Sequence, residues 1–201
     1  MALPDLETVQ TALKPLEALI ISAYRRAWED WRNASLTHWR PRGRANYVWE
    51  QAAHYAVTDA AAMANVVTIL KNESYHFLVD GAVSFRLKKA DQAGFTSNYP
   101  TQEAMTFHDP QLPLSGVPAE HRVEVVYALN ASETDIKEIL VVARDGDAIA
   151  WSYSIVGNDM IIALPTMPSP DHPTDQGVRT GLVRAKGRDK QHDSTGETGE
   201  A

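Results

Sequence analysis

The chain has seven histidines, at positions 38, 54, 76, 108, 121, 172 and 192. No two stand in the His-x-x-x-His spacing that puts two imidazoles on one helical turn, and none has a carboxylate at a familiar metal spacing. Cysteine is absent, which removes thiolate nucleophiles, disulfides and Cys-ligated zinc or iron–sulfur centres. Gly-x-Ser-x-Gly does not occur, and Leu114-Ser115-Gly116-Val117-Pro118 reads as a loop. Neither a Gly-rich phosphate loop nor Gly-x-Gly-x-x-Gly is found. The sequence therefore nominates no catalytic residue, no metal and no cofactor. Asn-x-Ser/Thr triplets at Asn33, Asn72 and Asn130 carry no weight without a secretory signal.

Metal-dependent nucleases often place an Asp on one strand and an acid-x-Lys on the next, so that carboxylates hold the ion and the lysine helps position the nucleophile. Asp80 precedes Ala82-Val83-Ser84-Phe85-Arg86-Leu87-Lys88, which offers the lysine. Arg86 stands where the second carboxylate is required, and Asp80 is explained equally well by a turn. A divergent nuclease is thus the enzymatic alternative, and binding the leading expectation.

Two cation-bearing constellations could bind. Arg86 and Lys88 share a strand face, and Asn98, Thr101 and Gln102 follow in a Pro-bearing loop. Positive charge beside uncharged hydrogen-bonding groups suits an anion or partner site. The structural alternative has Glu73 offsetting Lys88, Tyr75 stacking on Arg86, and Asn98 and Thr101 capping a short helix. The second constellation lies within 24–49. Arg25, Arg26, Arg32, Arg40, Arg42 and Arg44 interleave there with Tyr24, Trp28, Trp31, Trp39, Tyr47 and Trp49. Arginines bind phosphates and indoles stack on bases, so Trp39, Arg40, Arg42 and Arg44 suit nucleic acid. They suit a protein interface as well, where Trp, Tyr and Arg are favoured anchors. A core role for the aromatics is the third reading. Trp39 is expected to be exposed, in a loop between helices.

These residues need elements to position them. Val9, Leu13, Leu16, Ile20, Tyr24 and Trp31 recur at helical steps, which predicts an amphipathic helix capped by Asp5. Pro15 predicts a kink, or a helix start near Lys14. A second, alanine-rich helix is expected over 46–63. From Val66 the period changes to two. Asp80-Gly81 predicts a two-residue hairpin turn pairing His76 with Phe85, Tyr75 with Arg86 and Glu73 with Lys88. A short helix is expected at 101–107, and strands over 122–129 and 136–143. Asp145-Gly146 predicts a second tight turn, pairing Val142 with Ile149 and Leu140 with Trp151. A last short strand is expected within 159–165.

Helices followed by short consecutive strands predict an α+β fold: N-terminal helices packed on an antiparallel meander sheet of about five to six strands. The expected organisation is one domain over 1–166, helical over 5–64 and sheet over 66–165. Residues 167–201 carry Pro168, Pro170 and Pro173 and no apolar period, which predicts a disordered tail. The 201 residues are 44% hydrophobic with a formal charge of −7, as in an ordinary globular protein rather than a polycation that coats nucleic acid. No apolar run spans a bilayer, so no membrane is expected and the cytoplasm is the default location.

Three stretches together carry a family likeness: Phe85-Arg86-Leu87-Lys88-Lys89-Ala90-Asp91, Ser97-Asn98-Tyr99-Pro100-Thr101-Gln102, and Val126-Tyr127-Ala128-Leu129-Asn130 running on to Trp151-Ser152-Tyr153. In that order, over 45–155, they resemble a family of small bacterial and phage-borne proteins. Its members are often encoded beside helix-turn-helix or metallopeptidase-type regulators. The resemblance implies mobile-element or defence biology and no activity. The expectation is a non-enzymatic, antitoxin-like regulatory protein with a protein partner; a nucleic-acid-binding module is a further alternative.

Overall fold

The computed structural model describes residues 3–35, 38–96, 102–109, 112, 114–156 and 161–162, with Glu103 and the last pair described by backbone alone. The expected tail, 167–201, lies outside the described residues. Helix α1 (Leu6–Leu13) starts as predicted: Asp5 accepts from the Thr8 backbone N–H at 2.8 Å and from its hydroxyl at 2.7 Å. Pro15 has no N–H to give, and the chain tightens into a 3-10 turn over Lys14–Leu16 before α2 (Glu17–Asn33). Helix α3 (Pro41–Ala60) begins more than a turn before the expected 46, because Pro41 fits the first helical position, where its missing N–H costs nothing.

Six strands form the sheet in chain order: β1 (Val66–Lys71), β2 (Ser74–Val79), β3 (Val83–Lys89), β4 (His121–Leu129), β5 (Ile136–Asp145) and β6 (Ala148–Ser154), with a two-residue β7 (Ile161–Ile162) at the edge. The α+β class and the N-terminal helices against the sheet are as expected. One step departs from the meander: β3 and β4 run parallel, while the other neighbours are antiparallel. Parallel neighbours need a connection that returns to the starting end. Residues 90–120 make it, and include helix α4 (Gln102–His108).

Both predicted hairpin registers shift. Asp80 and Gly81 adopt φ of 50° and 71° with Ala82 N–H donating to the Val79 carbonyl, so the turn forms as expected. Ala82 is then extra, and Phe77 faces Phe85 and Val79 faces Val83, one residue away from the predicted pairing of His76 with Phe85. The proposed pairings of Tyr75 with Arg86 and Glu73 with Lys88 fall with it. The second turn sits on Gly146 and Asp147, with Asp145 opposite Ala148. That later turn pairs Arg144 with Ile149 in place of the predicted Val142, and a bulge at Ala150 then puts Ala143 opposite Trp151, in place of the predicted Leu140, and Val142 opposite Ser152.

Because side chains alternate along a strand, each slip decides which face a residue joins. Phe77, Val79, Val83, Phe85, Leu87, Val123, Val125, Tyr127, Ile139, Val141 and Ala143 face α2 and α3 and form the main core. Ala23, Ala27, Ala52 and Ala56 are fully buried, and their small side chains let the helices approach closely. Tyr24 enters the sheet itself. Its hydroxyl accepts from Lys88 N–H at 3.1 Å and donates to the Val125 carbonyl at 2.7 Å, so it is spliced between β3 and β4. The opposite face carries His76, Ser84, Arg86, Arg122, Glu124, Val126, Val142 and Arg144, all buried. β4 is thus buried on both faces, from Arg122 through Leu129.

Candidate functional site

Arg86 and Glu124 are register partners on β3 and β4, so their side chains leave the second face together. Arg86 donates to Glu124 Oε1 from Nε at 3.0 Å and from Nη2 at 2.7 Å. His108, the last residue of α4, places Nε2 3.1 Å from the same oxygen and 3.1 Å from Arg86 Nη2. That nitrogen serves one contact at a time: it donates to the carboxylate when protonated and accepts from Arg86 when not. Thr96 donates to Glu124 Oε2 at 2.9 Å. The Phe107 ring covers Arg86 with its centroid 3.9 Å from the guanidinium carbon.

Burial would push the Glu124 carboxyl up, but the His108 hydrogen bond and the Arg86 guanidinium outweigh it and hold the group well below the usual carboxylate range. Its contacts reach His108 at the end of α4 and Thr96, so Glu124 ties the crossover segment to the sheet. Arg122 does the same two residues earlier, donating to the carbonyls of Thr106 at 2.7 Å, Asp109 at 2.7 Å and Leu112 at 2.8 Å. These carbonyls lie at and beyond the end of α4, where helical partners run out.

Of the residues predicted for an anion site, Arg86 is committed to Glu124, and Gln102 opens α4 with its side chain exposed. Lys88 is half-buried, its Nζ 5.7 Å from the Trp49 ring. Asn98 and Thr101 lie outside the described residues. Sequence reasoning missed Glu124, His108, Thr96, Arg122 and Arg144 on this face. Asp80, the nuclease candidate, sits in its turn with Asn65 Nδ2 at 3.4 Å. Among the described residues no three His, Asp or Glu side chains converge as metal ligands.

Of the second constellation, Tyr24 and Trp28 lie in the main core and Trp31, Tyr47 and Trp49 pack half-buried against it, as the core reading of the aromatics expects; the exception is Trp39, where α2 gives way to α3. Trp39 is 43% exposed. Its ring lies 5.8 Å from Trp31 and 6.3 Å from Tyr47, and those two are 5.6 Å apart. Gly43 makes the packing possible, since a Cβ there would stand 2.9 Å from Trp39 Cε3. Arg40 and Arg42 flank this aromatic shelf and are exposed, as are Arg25 and Arg32 on α2. Arg25 and Arg32 line a cleft of about 480 Å³ with Trp28, Glu29, Asn33, Asp135 and Ile136. Arg44 is placed differently: it forms an ion pair with Glu133 and lies over Trp28, 5.9 Å from the ring centroid.

No family model, curated protein or solved structure matches this chain. The reading of function therefore rests on its own residues. No helix among the described residues is long and apolar enough to cross a membrane.

Proposed function

We propose that this chain is a non-enzymatic binding protein that engages an acidic protein partner on the Trp31–Trp39–Tyr47 shelf. One observation carries the reading: a large indole is propped half-exposed on two other aromatic rings, between two exposed arginines. An anchor held rigid before binding loses little entropy when a partner covers it, and Trp, Tyr and Arg dominate interface energetics. The arginines supply complementarity to carboxylates and speed encounter.

The nucleic-acid alternative draws on the same residues. Arg44 is paired with Glu133, which leaves Arg40 and Arg42 as the phosphate contacts of the predicted trio. The proposal includes the regulatory, antitoxin-like role in a mobile-element operon that the resemblance over 45–155 implies. The test is affinity capture of the full chain from its native cells, with wild type and Trp39→Ala, before and after nuclease treatment. One protein held by wild type, resistant to nuclease and lost with Trp39→Ala is the expected result. The same set on both baits overturns the shelf, and loss of all captured material on nuclease treatment favours nucleic acid.

A further inference from the structure

A cleft of about 520 Å³ opens between α3 and the β1–β2 hairpin. Its place follows from the way β2 and β3 part. Their ladder pairs Val79 with Val83 and ends at Phe77 and Phe85, so Tyr75 and Leu87 lie beyond it. Trp49 of α3 enters there, its Nε1 donating to the Leu87 carbonyl at 2.8 Å. That bond holds the indole by its edge. Trp49, Ala53 and Val57 stand four residues apart and so form one row along α3. With Tyr75 from β2, this row gives the cleft an apolar lining that includes two aromatic rings. Both rings are only half-buried, so a ligand in the cleft can touch them.

The polar lining is Glu50, His54 and Glu73, all three exposed. Neither carboxylate forms an ion pair or a side-chain hydrogen bond among the described residues. No lysine or arginine lines the cleft. Lys88 reaches the same indole, with Nζ 5.7 Å from the ring centroid, so even with it the carboxylates outnumber the cations two to one. Aromatic faces attract cations through the ring quadrupole, and a concave site lined by one sign of charge concentrates the opposite sign. A bare hard metal ion is a poor fit, since it needs several oxygens at once and the lining is largely apolar. A cleft of this size falls within the roughly 300–1,000 Å³ of small-molecule sites. We infer that it binds a small organic cation: an ammonium group against Trp49 and Tyr75, in the field of Glu50 and Glu73, with its apolar body over Ala53 and Val57.

Trp31, Trp39 and Tyr47 take no part in this cleft, so it stands or falls independently of the proposed partner. The test titrates the full chain, at constant ionic strength, with choline, with butylammonium, and with 3,3-dimethylbutan-1-ol, which has the shape of choline without its charge. NMR follows the Ala53 and Val57 methyl signals and the methyl protons of choline, which the ring currents of Trp49 and Tyr75 should move upfield. At least one cation should saturate the protein shifts, and the alcohol should bind roughly tenfold more weakly than choline or butylammonium, whichever is the tighter. Tighter choline identifies a quaternary ammonium ligand, and tighter butylammonium a primary amine. Glu50→Gln combined with Glu73→Gln, both at exposed positions, should weaken cation binding roughly threefold to twentyfold and leave the alcohol unchanged. Should that variant fail to fold, the comparison of cations with alcohol on wild type decides alone. Equal affinity for cations and alcohol would overturn the site, as would the absence of a saturable shift at Ala53 and Val57 with either cation. Undiminished cation binding in the folded double variant would overturn it as well.

Discussion

Glu124→Gln keeps the shape of the side chain and removes its charge. The pair it breaks is almost wholly shielded, with side-chain exposures of 6% for Arg86 and 1% for Glu124. Solvent therefore screens little of the loss. Removing one partner of a buried pair leaves the other charge uncompensated and costs about 3–5 kcal/mol. With an m-value near 2 kcal/mol/M, that is a fall of about 1.5–2.5 M in the urea midpoint. The pH dependence has a definite sign. The native carboxyl is held below its unfolded value of about 4.3, so its contribution is complete above that pH and is lost as pH falls through the native value. Wild type should lose stability steeply below about pH 4, and Glu124→Gln should show a shallower acid limb. Glu124→Leu combined with Arg86→Met should cost far less than Glu124→Gln, because neither charge of the pair then stays buried. Urea titrations at pH 7, at about pH 4 and at about pH 3 measure all of this. A cost below about 1 kcal/mol with an unchanged acid limb would refute the coupling of these two groups.

Three further substitutions test other parts of the account. Tyr24→Phe leaves Lys88 N–H and the Val125 carbonyl without the hydroxyl between them; it should cost about 1–3 kcal/mol and speed exchange of the Lys88 amide, whereas unchanged values would mean the ladder closes by itself. Arg122→Met takes the donor from three carbonyls; it should cost about 2–3 kcal/mol and raise hydrogen exchange in 102–109 more than in β1 and β2, and uniform exchange would contradict its role as a staple. Gly43→Ala gains helix propensity of about 1 kcal/mol yet drives a methyl towards Trp39 Cε3, so stability should change little while Trp39 emission shifts; an unmoved Trp39 signal would refute the close packing.

The helices and the order of the strands were legible because their signals are local. Asp5 caps, Pro15 perturbs and the Val9–Leu13–Leu16–Ile20 spacing lines a face. The registers were not: Ala82 and Ala150 are each one extra residue that nothing in their type marks, and the second turn falls on Gly146 and Asp147, one residue beyond the Asp145-Gly146 signal. The parallel step was hidden in the irregular 90–120 segment, whose return path depends on tertiary contacts of Arg122 and Glu124. The buried cluster did leave a trace. Val126-Tyr127-Ala128-Leu129 is apolar on both parities, the mark of a strand covered on both faces, and the same covering forces Arg122 and Glu124 inward. Trp39 was readable from its loop setting; the engagement of Arg44 by Glu133 was not, since 89 residues separate them.

The shelf is tested most directly by placing a photo-crosslinking side chain at Arg42, which is exposed beside it, and at Ala61, which is exposed past the far end of α3. Irradiation of living cells should give one covalent adduct with an acidic protein at position 42 and none at 61. No adduct at 42, equal adducts at both positions, or an adduct at 42 that nuclease digests would contradict the account.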